Sequence, residues 1–268
     1  MLYTLGFIGA GNMGGALVSA CAKTAGGKNI AVFDKDQAKV SAFSESLGCF
    51  GAADAAEAAG KSRYIVLAVK PHLVEGVCRE IAPVLKKRGG GFTVITIAAG
   101  VSISDIESYL GADMSVMRIM PNTPAFVGEG MILYCGNGNV SEAEFSEFRS
   151  LFSEAGRLDK IDENLIDAAA CVSGCGPAFA YMFINALADG GVSCGLPRAA
   201  AIEYAAQMLL GSAKMVLESG DHPEKLKDNV CSPGGTTIQG VRALEAGGFR
   251  SSVFEAVVAA YEKTAELK

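Results

Sequence analysis

Two stretches at opposite ends of the chain have residue types and spacings that can do chemistry. Near the far end, Cys231-Ser232-Pro233-Gly234-Gly235-Thr236-Thr237-Ile238 follows a polar lead-in, Lys227-Asp228-Asn229, and precedes a helical pattern. Ser232 suits an N-cap, and Pro233 suits the first helical position, where a missing N–H costs nothing. The N–H groups from Gly234 to Thr237 would then be unpaired donors at a helix N-terminus. The two glycines would let an anion come close to that backbone, and Thr237 adds a hydroxyl beside it. The spacing alone fits an ordinary capped helix start equally well.

The second stretch is Ile8-Gly9-Ala10-Gly11-Asn12-Met13-Gly14. It follows an apolar run from Leu2 to Ile8 and opens a helical segment from Asn12 to about Lys23. Ile30 to Asp34 then reads as a second strand ending in an acid, with Lys35 next. This order of strand, Gly-x-Gly-x-x-Gly, helix, strand and acid, with the acid about 20 residues on, is the dinucleotide-binding fingerprint. Gly9 allows the tight turn, Gly11 admits the pyrophosphate, and Gly14 lets helix and strand pack closely.

The elements that must position these residues alternate. Helices are expected over about 37–47, 73–85 and 104–110. Strands are expected over 63–69, 92–97 and 115–120, with two later strands at 131–135 and 156–161. Such alternation implies a parallel sheet with helices on both faces, whose ligands sit at the carboxyl ends of the strands. Gly9, Asp34, Lys70, Ala98 and Asn122 each fall just after a strand end and so should line one rim. Ala68, Val69, Lys70 and Pro71, then Ile97, Ala98 and Ala99, complete the expected cofactor contacts. From about Asp162 strand signals vanish, and helices are expected over 163–173, 177–192, 198–218, 235–246 and 250–267. The fold class is therefore an α/β N-terminal Rossmann-like dinucleotide-binding domain, residues 1–161, followed by an all-α C-terminal domain, residues 162–268.

The bulk numbers narrow the partners. The chain has 268 residues, 50% hydrophobic and 19% charged, with a net charge of −6. That length supports one large domain or two moderate ones. With no basic run, nucleic acid is not an expected partner. An acidic protein can still hold anionic ligands at helix N-termini. The eight cysteines show no Cys-x-x-Cys pair, and the chain has only two histidines. This reads as reduced thiols in a cytoplasmic protein, mostly small buried hydrophobes, with no metal site. His72 and His222 read as surface or capping residues. Ala168 to Ala188 carries no charge and is long enough to span a bilayer. Because Ser173-Gly174-Cys175-Gly176-Pro177 interrupts it, a buried helix at a domain or subunit interface is the expectation, with no membrane as partner.

The run Lys227 to Thr237, with Leu244-Glu245 downstream, closely resembles the C-terminal signature of pyrroline-5-carboxylate reductases. Phe7-Ile8-Gly9-Ala10-Gly11-Asn12-Met13-Gly14, Ala68-Val69-Lys70-Pro71, Met120-Pro121-Asn122-Thr123-Pro124 and Val172-Ser173-Gly174-Cys175-Gly176-Pro177-Ala178 agree with the same family. The resemblance spans essentially the whole chain, in order, and only the glycine motif is common elsewhere. Thr236 and Cys175 stand where other members often carry different small residues.

The resemblance implies hydride transfer from NADP(H) or NAD(H) to the imine carbon of 1-pyrroline-5-carboxylate. It implies a homodimer built by the C-terminal helices, with five dimers able to associate into a ring. It places Glu163 at the substrate pocket with Gly234, Gly235, Thr236 and Thr237, and Asn229 at the nicotinamide end of the cofactor. Thr237 and Ser232 are the expected catalytic residues. The nearest rival is a dehydrogenase of the β-hydroxyacid type, which relies on a lysine four residues after the second glycine of a Gly-x-Gly motif. Here Gly174-Cys175-Gly176 puts Ala180 at that position, and an apolar residue cannot donate a proton to a developing alkoxide. A non-catalytic dinucleotide-sensing module would have no need of the second, anion-binding turn.

Overall fold

The computed structural model describes residues 3–266. Leu2 of the expected first strand and Leu267 of the expected last helix lie outside the described residues. The chain forms two compact units. One runs to Cys175 and takes up the chain again at Tyr261, and the other is Gly176–Ala260.

The first unit is built on one sheet. Its strands are β1 (Tyr3–Ile8), β2 (Ile30–Phe33), β3 (Phe50–Gly51), β4 (Ser62–Leu67), β5 (Thr93–Thr96), β6 (Ser115–Met120), β7 (Gly130–Gly136) and β8 (Gly156–Lys160). Their order across the sheet is β3-β2-β1-β4-β5-β6-β7-β8. Strands β1 to β6 are parallel; β7 pairs antiparallel to β6, and β8 parallel to β7. The order reverses direction between β1 and β4, which is the crevice such sheets use for ligands. The strands are apolar on both faces because both are covered. Leu5, Phe7, Val66 and Ile95 face one core with Leu17, Cys21, Phe148 and Phe152, while Ile8, Ile65, Leu67 and Val94 face another with Val74, Cys78, Ile81 and Ile106.

The helices of this unit are α1 (Asn12–Ala25), α2 (Gln37–Leu47), α3 (Ala55–Lys61), α4 (Pro71–Arg88), α5 (Ile103–Leu110), α6 (Glu142–Phe152) and α7 (Glu163–Ser173). The short β3, and α3 and α6, were not expected from periodicity. Helix α6 nonetheless begins with a full capping box: Ser141 accepts the N–H of Glu144, whose carboxylate accepts the N–H of Ser141. Helix α7 packs on the sheet through the fully buried Ile166, so by packing this helix goes with the strands.

The second unit is helical: α8 (Gly176–Ser193), α9 (Arg198–Ser219), α10 (Pro223–Val230), α11 (Thr236–Ala246) and the greater part of α12 (Phe249–Ala265). Helix α10, expected only as a polar lead-in, is capped by His222, whose Nδ1 accepts the N–H of Glu224 at 3.2 Å. Its residues cover little of one another. Ala188 is the one fully buried residue of α8, and α10, α11 and α12 have none. The apolar stretch 168–188 is broken, α7 ending at Ser173 and α8 starting at Gly176. By length and hydropathy alone, Glu163–Ser193 is apolar enough to cross a membrane.

Candidate active site

The five expected rim residues do share one edge of the sheet. Gly9 follows β1, Asp34 β2, Ala98 β5 and Asn122 β6, while Lys70 stands three residues past β4. Each fingerprint glycine meets a different constraint. Gly9 has φ +105°, and a Cβ there would lie 2.4 Å from the Ala68 carbonyl oxygen. A Cβ on Gly14 would lie 2.4 Å from the Gly9 carbonyl oxygen, whereas one on Gly11 would meet nothing within 4 Å. The open space is therefore at Gly11, the N-cap of α1, where no side chain caps the helix and no acid sits in the first turn. The N–H donors of Asn12, Met13 and Gly14 are left to an anion. Lys70 is likewise the N-cap of α4, exposed and without a side-chain cap, with Pro71 at the first turn. These features fit a pyrophosphate held by main-chain N–H groups and one lysine.

Asp34 and Asn122 are more constrained than expected. Both oxygens of Asp34 accept main-chain N–H groups, from Ala10 at 2.6 Å and from Asp36 at 2.9 Å. Asn122, nearly buried, accepts the N–H of Met131 at 2.9 Å and donates to the carbonyl of Ser173 at 2.8 Å. Ala98 is also held, its N–H on the Thr96 hydroxyl at 3.3 Å.

Glu163 is not brought to this rim. It opens α7, whose other end, Ser173, reaches Asn122; an 11-residue helix puts the two ends roughly 15 Å apart. Its Oε1 accepts the N–H of Ile103 at 2.8 Å and lies 3.5 Å from a guanidinium nitrogen of Arg118. It lines a cavity of about 340 Å³ with Glu107, Asn137, Lys160 and Asp162. Arg118 is 2% exposed and also pairs with Asp167. Reading the sequence for motifs missed Arg118, although a single charge inside the apolar run Ser115–Met120 was its signal.

In the second unit the stretch from Ser232 to Thr237 corrects the expected cap. Ser232 is not the N-cap and Pro233 is not in the first turn. The Ser232 carbonyl accepts the N–H of Gly235 at 3.0 Å, with Pro233 and Gly234 between them and Gly234 at φ +70°. Proline then a positive-φ glycine is the sequence of a type II turn. Helix α11 starts three residues later than the cap reading required, at Thr236, with Gly235 as N-cap and no side-chain cap. The N–H of Gly235 is thus already used. Among the described residues those of Gly234, Thr236 and Thr237 have no acceptor, and these three residues are exposed. Asn229, near the end of α10, and Ser232 are exposed in the same stretch.

Five of the thiols are held in the protonated form by burial, which disfavours a ligand or nucleophile role for them. Burial pushes Cys49 and Cys135 up to about 11 and Cys78 to about 12, and raises Cys21 and Cys175. Among the described residues no group of three His, Cys, Asp or Glu side chains could hold a metal ion.

A doubly wound sheet with an open glycine loop, followed by helices of which α11 starts without a side-chain cap, fits a dinucleotide-dependent oxidoreductase. Comparison with known proteins agrees. Residues 4–100 match the family described as NADP oxidoreductase coenzyme F420-dependent, and residues 163–267 match pyrroline-5-carboxylate reductase dimerisation. The chain is 42% identical over 266 residues to the pyrroline-5-carboxylate reductase of Escherichia coli (strain K12), covering 98% of this chain and 97% of that one. Among solved structures, the Coxiella burnetii pyrroline-5-carboxylate reductase superposes with a TM-score of 0.91 at 32% identity, covering 100% of this chain and 99% of that one. The Plasmodium falciparum pyrroline carboxylate reductase with NADP bound gives 0.87 at 34%, covering 98% and 97%. The chain belongs to the pyrroline-5-carboxylate reductase family, NAD(P)H-dependent oxidoreductases acting on a C=N bond.

Proposed function

We propose that this chain reduces 1-pyrroline-5-carboxylate to L-proline, the last step of proline biosynthesis, with either NADPH or NADH. The observation that carries the reading is the uncapped start of α11, where free main-chain donors stand beside the Thr237 hydroxyl. The substrate has a carboxylate next to an imine, and this turn offers one group for each. The N–H groups of Gly234, Thr236 and Thr237 hold the carboxylate at the positive end of the helix. That fixes the ring and supplies the orientation part of the catalysis. The cofactor supplies the hydride for the imine carbon. As the C=N electron pair moves to nitrogen, a proton must arrive there. The Thr237 hydroxyl hydrogen-bonds that nitrogen and relays the proton from water, since threonine alone is a poor acid. Ser232 fixes the turn through its carbonyl.

The cofactor contacts proposed are Ile8 to Gly14, Lys35, Ala68 to Pro71, Ile97 to Ala99, Asn122 and Asn229, with Asp34 at the cofactor site behind the glycine loop that it holds. Asn122 has one amide hydrogen and one carbonyl lone pair left for this. Glu163 enters as a substrate residue by resemblance alone. The domains proposed are 1–161 for the cofactor and 162–268 for substrate and dimerisation, the latter close to the matched range 163–267. The exposed apolar side chains of α8 to α12 support a homodimer, and we extend this to a ring of five dimers. We place the enzyme in the cytoplasm, away from membrane and nucleic acid. A steady-state assay with 1-pyrroline-5-carboxylate and each cofactor tests the reading. Turnover with both is expected, and no turnover with either would end it.

A further inference from the structure

An acid at the end of the second strand of a dinucleotide fold ordinarily takes the ribose hydroxyls and so favours NADH. Asp34 is engaged differently. Its Oδ2 accepts the N–H of Ala10, inside the glycine loop, at 2.6 Å. Its Oδ1 accepts the N–H of Asp36 at 2.9 Å, and Asp36 in turn caps α2 through the N–H of Ala38. One residue earlier, the Phe33 carbonyl accepts the N–H of Gly9 at 2.7 Å. Two consecutive residues at the end of β2 therefore hold two consecutive residues of the loop, one by main chain and one by side chain. Each oxygen of Asp34 therefore gives one of its lone pairs to a protein loop, Oδ2 to the glycine loop and Oδ1 to the turn before α2. Among the described residues Ala10 has no other acceptor for its N–H. Gly9 sits at φ +105°, a conformation that an untethered loop would populate among many.

We infer that Asp34 is a positioning residue. It clips the glycine loop to the β2–α2 turn and presets the loop before any dinucleotide arrives. The clip acts on the pyrophosphate-binding backbone, which NADH and NADPH share, so it serves both cofactors alike and does not select between them. Lys35, exposed and without a hydrogen bond or ion pair among the described residues, stays free beside a 2′-phosphate. This inference rests on the dinucleotide-binding reading proposed above.

The test is isothermal titration of the full chain, wild type, Asp34→Ala and Asp34→Asn, with NADH and with NADPH, beside amide hydrogen exchange at Ala10 without ligand. A charge-assisted hydrogen bond lost from a preset loop should raise both Kd values on the order of 10-fold in Asp34→Ala. The NADH/NADPH ratio should stay within about 3-fold of wild type, since the clip touches only what the two cofactors share. Asp34→Asn, whose amide can accept only one of the two N–H groups, should fall between, and it carries the test if the alanine variant does not fold. Ala10 exchange should speed up, and kcat at saturating cofactor should hold while the cofactor KM rises. Tighter NADPH binding with weaker NADH binding would make Asp34 a ribose reader and overturn the inference. Unchanged affinity for both would overturn it too. Failure of the wild type to bind either dinucleotide would instead remove the cofactor reading itself.

Discussion

The side-chain amide of Asn122 donates to the carbonyl of Ser173, 51 positions along the chain, at 2.8 Å. The same side chain accepts the N–H of Met131, so one carboxamide ties the end of β6 to β7 and to the last turn of α7. Asn122→Ala leaves both main-chain groups without this partner, in a site only 7% exposed. The expected cost is about 1–3 kcal/mol. Asn122→Asp keeps the Met131 contact but turns a carboxylate oxygen toward the Ser173 carbonyl, so at neutral pH it should be no more stable than the alanine variant. Thermal melts of the two variants check this; a wild-type Tm in both would mean the bridge contributes nothing.

Much of this arrangement was legible in the sequence, and the misses have physical causes. The glycine loop, the strand-end residues and the boundaries of α7 could be read because glycine spacing and hydrophobic period are local signals. Ser232-Pro233-Gly234-Gly235 was misread because serine then proline suits a helix cap and a β-turn equally. Gly234, able to take φ +70°, was the residue that decided for the turn. The surroundings of Glu163 could not be read, since Ile103 and Arg118 are brought to it by the sheet and not by neighbouring sequence. Helix α6 was legible and was missed, as Ser141 and Glu144 spell a capping box.

Glu144 gives a pH prediction. Partial burial pushes its carboxyl up. The Ser141 and Thr93 hydroxyls and the Ser141 N–H outweigh this, so its pKa lies below the usual carboxylate value. A depressed folded pKa contributes stability that is present above the unfolded pKa and lost as pH falls through the folded one. Glu144→Gln should therefore lower stability by about 1 kcal/mol at pH 7, the order of a helix cap. The difference should shrink as pH falls below about 4. Urea unfolding at both pH values measures it. A deficit that stayed constant with pH would mean that the charge on Glu144 plays no part.

The cysteines should be chemically quiet. With four thiols raised by burial to about 11 or beyond, little thiolate exists at neutral pH. Overnight treatment with a chelator should leave turnover intact. Cys231→Ser should keep most of it, because only main chain near Cys231 is invoked. Activity lost on stripping and restored by zinc would contradict this.

Association should be strong. Met182 is 72% exposed, and Leu217 and Phe254 are each 66% exposed, a large apolar display for one chain. Light scattering at micromolar concentration should give a dimer or a multiple of it. Met182→Asp combined with Phe254→Asp should move the mass toward the 27.6 kDa monomer while leaving dinucleotide affinity unchanged. A wild-type monomer would refute the dimer.

The turn before α11 allows the most pointed test, because its residues should fail in different ways. Thr237→Ala removes the hydroxyl proposed at the ring nitrogen and spares the main-chain donors. It should lower kcat on the order of 10-fold to 10³-fold, as loss of one acid or transition-state hydrogen bond does, with cofactor affinity barely altered. Gly235→Val acts on binding. A Cβ at Gly235 would lie 2.4 Å from the Ser232 hydroxyl oxygen, so the added side chain must displace Ser232 and crowd the donors of Thr236 and Thr237. Its main signature should be a sharp rise in substrate KM. Gly234→Ala meets open space but must take a positive φ, so it should distort the turn without blocking it and give a smaller rise. Steady-state kinetics of the three variants separate these roles. Wild-type turnover in Thr237→Ala, with Gly235→Val also benign, would reduce Ser232–Thr237 to the start of a helix and send the search for the substrate site elsewhere.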